Sequence, residues 1–334
     1  MKNTALIGAG YWGKNIARSL HELGALKTVC DSSDAVKANL GKLYPDVSFT
    51  GDLKSVLSDG EIKSVFIASP AVMHYQQASE ALKAGKNVFV EKPLSLIVED
   101  AEELIKLAES LKKILFVGHI LHYHPAVIKM KKIIADGTIG KLQYIYSNRL
   151  NLGKIRTEEN ILWSFAPHDI SLILSLTDEN PSYVNCAGSY FLSPGVADIT
   201  MTNLKFPSGI GAHIFVSWLN PFKEQRLIVT GSKGMLVFED TKPTDEKLIS
   251  YSHTIEWKNS IPIPQKAEPS FIKISDIWEE PLKAECSAFL KAVETGKEPL
   301  TSGKEGLKVL KVLKDCQTSI EKQDRSSPCK GSLV

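Results

Sequence analysis

The chain has 334 residues, of which 43% are hydrophobic and 23% charged, with a formal net charge of +2. This is ordinary globular composition, enough for about two domains, and no basic block marks a nucleic-acid-binding surface. No apolar stretch approaches the roughly 20 residues of a membrane span, and the cysteines (Cys30, Cys186, Cys286, Cys316, Cys329) form no Cys-x-x-Cys pair, so reduced thiols in a cytoplasmic protein are expected, with neither zinc ribbon nor disulfide framework.

The opening residues reach Gly8 after an apolar run too short for a signal-peptide core, and residues 4–7 read as a strand. Helix and strand signals then alternate: helix 12–23, strand 26–30, helix 33–43, strand 64–67, helix 74–84, strand 87–90, helix 98–111 and strand 114–117. Short apolar strands between amphipathic helices predict parallel β-α-β units with helices on both sheet faces. After about His119 the pattern changes. Residues 125–135 are one more helix, closed by Asp136-Gly137. Residues 142–149 alternate with period two, placing Leu142, Tyr144 and Tyr146 on one face. Strands 199–206 and 210–218 flank Pro207-Ser208-Gly209, and strands 226–230 and 235–239 flank Gly231-Ser232-Lys233-Gly234, two hairpin signals. Hairpins imply an antiparallel or mixed sheet with one face free to pack on something else, such as a second subunit. Helices over 281–295 and 304–321 follow, and the polar end, 324–334, reads as a loose tail. The fold class is therefore α/β: a doubly wound parallel sheet over residues 1–120, then an α/β domain with a large open mixed sheet over 121–323.

Gly8-Ala9-Gly10-Tyr11-Trp12-Gly13 is a G-x-G-x-x-G loop that follows a strand and opens a helix, the context that gives the motif a mechanism. The first glycine permits a tight turn, the second lets backbone approach a pyrophosphate, and the third lets helix and strand pack closely. The helix N-terminus offers N–H donors and a positive dipole end to phosphates. Asp31 ends the second strand, where a carboxylate accepts hydrogen bonds from the adenosine ribose and repels a 2′-phosphate; Ser32 and Ser33 follow in place of an arginine. NAD is thus favoured over NADP. The alternative for Asp31 is a turn or a helix cap before Ala35.

Three further motifs add specificity. Ala68-Ser69-Pro70 with His74 follows the strand at 64–67, Glu91-Lys92-Pro93 follows the strand at 87–90, and Trp163-Ser164-Phe165-Ala166-Pro167-His168-Asp169 lies in the second half. With the glycine loop, these resemble the Gfo/Idh/MocA family of NAD(P)-dependent oxidoreductases, in order and proportion over residues 3–320. The resemblance implies a Rossmann domain, then an α/β domain whose open sheet is often buried in a dimer or tetramer. It also implies that Lys92 and His168 line the active site, and that Tyr11, Trp12, Ser69, Pro70, His74, Glu91 and Lys92 join Gly8, Gly10, Gly13 and Asp31 around the cofactor. Many family members carry an aspartate four residues before the histidine; here that position is Ser164, so Lys92 and His168 carry more of the chemistry.

Within the family, residues 118–125 and 148–169 look like the branch that oxidises sugar nucleotides, including UDP-N-acetylglucosamine and UDP-N-acetylglucosaminuronate 3-dehydrogenases. On that reading Arg149, Lys154 and Arg156 hold a diphosphate, although a solvated basic loop accounts for them equally, and Trp163 shapes the sugar pocket or belongs to the core. His119, His122 and His124 have no spacing that fixes three ligands on one face, so no metal is expected. His119 and His122 either contact substrate, since ligands bind beyond the carboxyl ends of such strands, or pack at the helix start before Pro125. The expected activity is NAD-dependent oxidation of a nucleotide-linked amino sugar at C3, with no nucleic acid or membrane partner and a homodimer or homotetramer formed through the C-terminal sheet. A free sugar or cyclic polyol is the alternative substrate. A regulator that binds NAD without turnover is the alternative of another class, and the intact Lys92 and His168 argue against it.

Overall fold

β1 (Thr4–Ile7) and β4 (Ser64–Ile67) are buried at every position, as strands covered on both faces must be. They are the centre of the first of two units in the computed structural model, which describes residues 2–157 and 159–326. In chain order this unit contains β1, α1 (Gly13–Glu22), β2 (Leu26–Cys30), α2 (Asp34–Leu43), β3 (Ser48–Thr50), α3 (Leu53–Ser58), β4, α4 (His74–Lys83), β5 (Asn87–Glu91), α5 (Val98–Ser110) and β6 (Leu115–Gly118). The six strands run parallel in the order β3-β2-β1-β4-β5-β6. Strand order reverses beside β1, which is where a doubly wound sheet opens a crevice for a ligand.

The second unit begins at Pro125. It contains α6 (Pro125–Ala135), β7 (Leu142–Leu150), α7 (Ile161–Thr177), β8 (Tyr183–Ser189), β9 (Ile199–Lys205), β10 (Gly211–Ser217), β11 (Glu224–Gly231), β12 (Gly234–Glu239), β13 (Leu248–Lys258), β14 (Ile261–Lys266) and β15 (Ser270–Phe271). The strands form one mixed sheet in the order β14-β13-β12-β11-β7-β10-β9-β8, with β15 paired to β13; β7 and β10 are parallel neighbours and the other pairs antiparallel. Ile145, Thr202, Leu204, Ala212, Ile214 and Val216 are buried on one face, and α7 packs against β7, β9 and β10. On the alternate positions Tyr146 stacks on His213, ring centroids 5.0 Å apart, and the Tyr144 hydroxyl lies 3.0 Å from His213 Nδ1.

α7 carries Pro167 in its interior, and proline cannot donate to the carbonyl one turn earlier. Packing overrides that local preference: Ile161, Leu162, Ile170, Leu172, Ile173 and Leu174 are all buried. The Asn160 side chain caps the start, accepting from the Trp163 amide at 3.4 Å.

After Trp278 the chain rejoins the first unit for residues 279–310, which a contiguous division into 1–120 and 121–323 does not provide for. α8 (Pro281–Thr295) starts with proline in its first turn and ends on Gly296 at φ +66°. Its Phe289 packs edge-on over Phe66, Phe89 and Phe116, with centroids 4.9, 5.9 and 5.6 Å away, while those three rings stack along β4, β5 and β6. α9 (Gly303–Ser326) starts in the first unit and ends in the second. The helix runs into the segment expected to be a tail; residues 327–334 lie outside the described residues. Cys30, Cys186, Cys286 and Cys316 are buried free thiols, and Cys329 lies outside the described residues.

Candidate active site

The glycine loop joins β1 to α1 and fits a dinucleotide by where it is tight and where it is open. Gly8 has φ +83°, and a Cβ there would lie 2.7 Å from the Ser69 amide nitrogen; one on Gly13 would lie 2.2 Å from the Gly8 carbonyl oxygen. Among the described residues a Cβ on Gly10 would meet nothing within 4 Å. The loop is thus braced from behind and free at its middle glycine, where backbone must approach a pyrophosphate. Among the described residues no side chain caps the start of α1, and no acidic residue lies in its first turn, so its N–H groups can face an anion.

Asp31 does not cap α2. Ser33 does, accepting from the Val36 amide at 3.4 Å. The Asp31 carboxylate instead accepts from the Ala9 amide at 2.7 Å and the Ser33 amide at 2.9 Å, tying the end of β2 to the glycine loop. Each oxygen retains a lone pair. Tyr11 is 88% exposed, and the Lys14 ammonium sits 5.5 Å from its ring centre.

Two motifs meet through His74. The start of α4 buries its ring, with Nδ1 2.7 Å from the Pro93 carbonyl oxygen and Nε2 2.9 Å from that of Ser69. Burial lowers its pKa, although both carbonyls favour the protonated ring. His74 therefore spans from the loop after β4 to the loop after β5, which carries Lys92. The Ser69 hydroxyl donates to Gln77 Oε1 at 2.6 Å, and Pro70 is exposed beside it. At the end of β5, Glu91 Oε1 accepts from the Trp12 indole N–H at 2.7 Å. Burial pushes the Glu91 carboxyl up to about 7, against the pull of Trp12 and Lys92.

His119 and His122 follow β6 and are buried. His119 Nδ1 pairs with Glu305 Oε2 at 2.5 Å, and His122 Nε2 lies 3.9 Å from Glu305 Oε1. The first turn of α9 supplies this carboxylate, a partner that only the returning chain provides. Among the described residues no group of three His, Cys, Asp or Glu side chains is placed to hold a metal ion.

In the second unit His168 lies on α7, one turn after the buried Ser164 and next to Asp169. Asp169 is held by Arg149 of β7 through two bonds, Nε to Oδ2 at 2.7 Å and Nη2 to Oδ1 at 3.0 Å, and by the Ser147 hydroxyl. Burial opposes the charge on Arg149, and the adjoining Asp169 carboxylate more than offsets it, so the guanidinium pKa is raised. This cation is engaged in a buried ion pair that fixes the strand to the helix carrying His168. Arg156 pairs with Glu159 at 3.1 Å, and Lys154 is exposed in the same segment. The Trp163 indole donates to Gln317 Oε1 at 3.2 Å, and the Asn160 amide donates to the same oxygen at 3.0 Å. Glu305 and Gln317 carried no motif in the sequence, and Asp169 stood in one without a role of its own; each acts through a distant partner.

Residues 2–119 match the oxidoreductase family model with the NAD-binding Rossmann fold, and residues 127–237 match the C-terminal domain of the same family. The chain belongs to the Gfo/Idh/MocA oxidoreductases. An uncharacterised oxidoreductase of Bacillus subtilis, YrbE, is 26% identical over 95% of this chain and 94% of its own. Inositol 2-dehydrogenase of Rhizobium meliloti is 25% identical over 91% and 92% of the two chains. UDP-N-acetylglucosamine 3-dehydrogenase of Acidithiobacillus ferrooxidans is 23% identical over 95% and 97%. Its solved structure aligns at 22% identity with a TM-score of 0.79, covering 96% and 97%.

Proposed function

We propose that this Gfo/Idh/MocA enzyme is an NAD-dependent dehydrogenase that oxidises the C3 hydroxyl of a nucleotide-linked amino sugar, such as UDP-N-acetylglucosamine or its uronate, to a ketone. The observation that carries the reading is the glycine loop open at Gly10 and joined through Trp12 and Glu91 to the strand end that bears Lys92. The cofactor would lie along Gly8, Gly10, Gly13 and the start of α1, with Asp31 accepting from its ribose and disfavouring a 2′-phosphate. When bound, the nicotinamide supplies the two-electron oxidant. The chain's own task is the hydroxyl proton. His168 takes it, since an unperturbed imidazole titrates near neutral pH, and Lys92 hydrogen-bonds the hydroxyl oxygen and stabilises its developing negative charge. The two roles are exchangeable, because a partly buried lysine also serves as a base.

Support for a nucleotide sugar comes from the relative of Acidithiobacillus ferrooxidans and from Lys154 and Arg156, which lie within the second of the two segments that resemble that branch, 148–169. The inositol relative and the engagement of Arg149 by Asp169 favour the second reading, a free sugar or cyclic polyol. Self-association through the second unit's sheet belongs to the proposal, supported by the face carrying Tyr144, Tyr146 and His213.

The test follows NADH formation with UDP-N-acetylglucosamine, its uronate, free N-acetylglucosamine and myo-inositol, with a carbonyl-trapping reagent to draw off the ketone. Turnover confined to the UDP-sugars is expected; turnover of only the free sugar or inositol moves the enzyme to the second reading. Lys92→Ala and His168→Ala should each lower kcat by about 100-fold or more while NADH still binds. Normal turnover in His168→Ala would refute its role as base. NADP binding as tight as NAD binding would remove the Asp31 argument.

A further inference from the structure

Glu285 lies on α8 in the first unit and is 0% exposed. Neither of its carboxyl oxygens has a hydrogen-bond partner among the described residues. Its helix neighbours are apolar: Leu282, Cys286 and Phe289 belong to the unit's hydrophobic core. A carboxylate without partners does not stay ionised in such a place; it takes up a proton. Burial raises the Glu285 pKa well above the usual range, and the charge of Glu91 raises it further.

Glu91 is the other half of this pair: Phe89, two residues before it on β5, packs against Phe289, one turn after Glu285 on α8, with ring centroids 5.9 Å apart, so the two acids extend from facing sides of one contact. Its Oε1 accepts from Trp12, its carboxylate accepts from the Lys92 backbone amide, and its Oε2 faces Gly118, where a Cβ would lie 3.0 Å away. The other ionisable groups around the two acids have their own partners. Tyr123 is hydrogen-bonded to Thr301, His119 is paired with Glu305, and Arg18 is paired with Glu280 at the start of α8. Lys92 follows Glu91 directly.

We propose that Glu285 is a positioning residue for the Glu91-Lys92 corner: it remains protonated at neutral pH and donates its O–H, through one water, to the Glu91 carboxylate. The pair then holds one proton and one negative charge. That charge, fixed by three donors, ties the glycine loop to the backbone of Lys92. The bearing of this pair on turnover rests on the assignment of Lys92 to the chemistry; the pair itself does not.

The indole N–H of Trp12 reports on Glu91 without cofactor or substrate. Its nitrogen–proton NMR resonance, identified by its loss in Trp12→Phe, is followed against pH in the wild type, Glu285→Gln and Glu285→Leu. Glutamine retains a donor and should leave the midpoint in place. Leucine removes the donor, so the midpoint should rise by about one pH unit or more. A fall would mean that an ionised Glu285 had been repelling Glu91, and no change would mean that the two do not interact; either overturns the proposal. Infrared spectra of wild type and the isosteric Glu285→Gln give a second measurement should the leucine variant not fold. At mildly alkaline pH the wild type should show a protonated-carboxyl C=O band that Glu285→Gln lacks, and a wild type without that band overturns the proposal. If Lys92→Ala keeps normal turnover while both signals behave as expected, the catalytic assignment has failed and the proton-sharing pair stands.

Discussion

A methyl group on Gly13 would be driven to 2.2 Å from the Gly8 carbonyl oxygen, a backbone atom that cannot swing away as a flexible side chain would. Gly13→Ala should therefore cost about 1–3 kcal/mol of stability, as overpacking does, and distort the loop. Gly10→Ala meets open space, so its melting temperature should stay at the wild-type value while NADH affinity falls about tenfold or more, or about 1.4 kcal/mol. Thermal melts paired with NADH fluorescence titrations separate the two; equal loss of stability in both variants would show that the loop is not divided in this way. The glycine spacing was readable in the sequence because it has a local cause, a turn between strand and helix. Asp31 was readable only in part. Its place at a strand end is local, but its bonds to the Ala9 and Ser33 amides depend on the folded loop. Glu285 was not readable at all: one glutamate in an amphipathic helix looks solvated until Phe289, one turn further on, is seen against three strands.

β7 and α7 are held together by the Arg149–Asp169 pair, with the arginine side chain 11% and the aspartate side chain 2% exposed. Removing one partner leaves a buried charge alone, which costs about 3–5 kcal/mol. Asp169→Leu and Arg149→Met should each destabilise by that order in urea unfolding, and the double variant should recover part of the loss. Arg156→Ala should change stability by less than about 1 kcal/mol, since its side chain is 36% exposed in its pair with Glu159. Additive losses in the double variant would mean that the pair is not a unit. The hairpins of β9 with β10 and of β11 with β12 were legible because Gly209 and the 231–234 turn punctuate alternating strands. α7 was hidden by Pro167, and β8, β13 and β14 by weak alternation with exposed residues along much of their length. In each of these, tertiary pairing supplies what local preference does not.

The first unit is not finished when the chain leaves it at His124. Phe289, Leu282 and Cys286 complete its core, and Glu305 completes its histidine pair; nothing local in the sequence announces that return. A fragment ending at His124 should lack a cooperative thermal transition, and fusing 2–124 to 279–310 through a flexible linker should restore one. Glu91, at the end of β5 in the same unit, makes stability fall with pH. The Glu91 carboxyl is held up to about 7 in the folded protein, by burial first, against an ordinary value of 4.5. Between those values the folded state binds more protons than the unfolded one, so stability is greatest at or below the ordinary carboxylate range and declines as pH rises through about 7. Each tenfold difference in proton affinity between the folded and unfolded chain is worth about 1.4 kcal/mol, so the loss is on the order of a few kcal/mol. Asp46 works in the opposite sense. Lys2, then His21, hold it down to about 2, so its contribution is present above the ordinary value and fades only in stronger acid. Urea unfolding of the wild type and Glu91→Gln at a series of pH values from about 5 to 8 isolates the Glu91 share, because histidines and other groups contribute equally to both proteins. The stability of Glu91→Gln relative to wild type should rise across that range, as the variant no longer has to ionise a buried acid. A difference that stays flat with pH would mean that Glu91 titrates as an ordinary surface carboxyl, and the coupling of this corner to the stability of the unit would be lost with it.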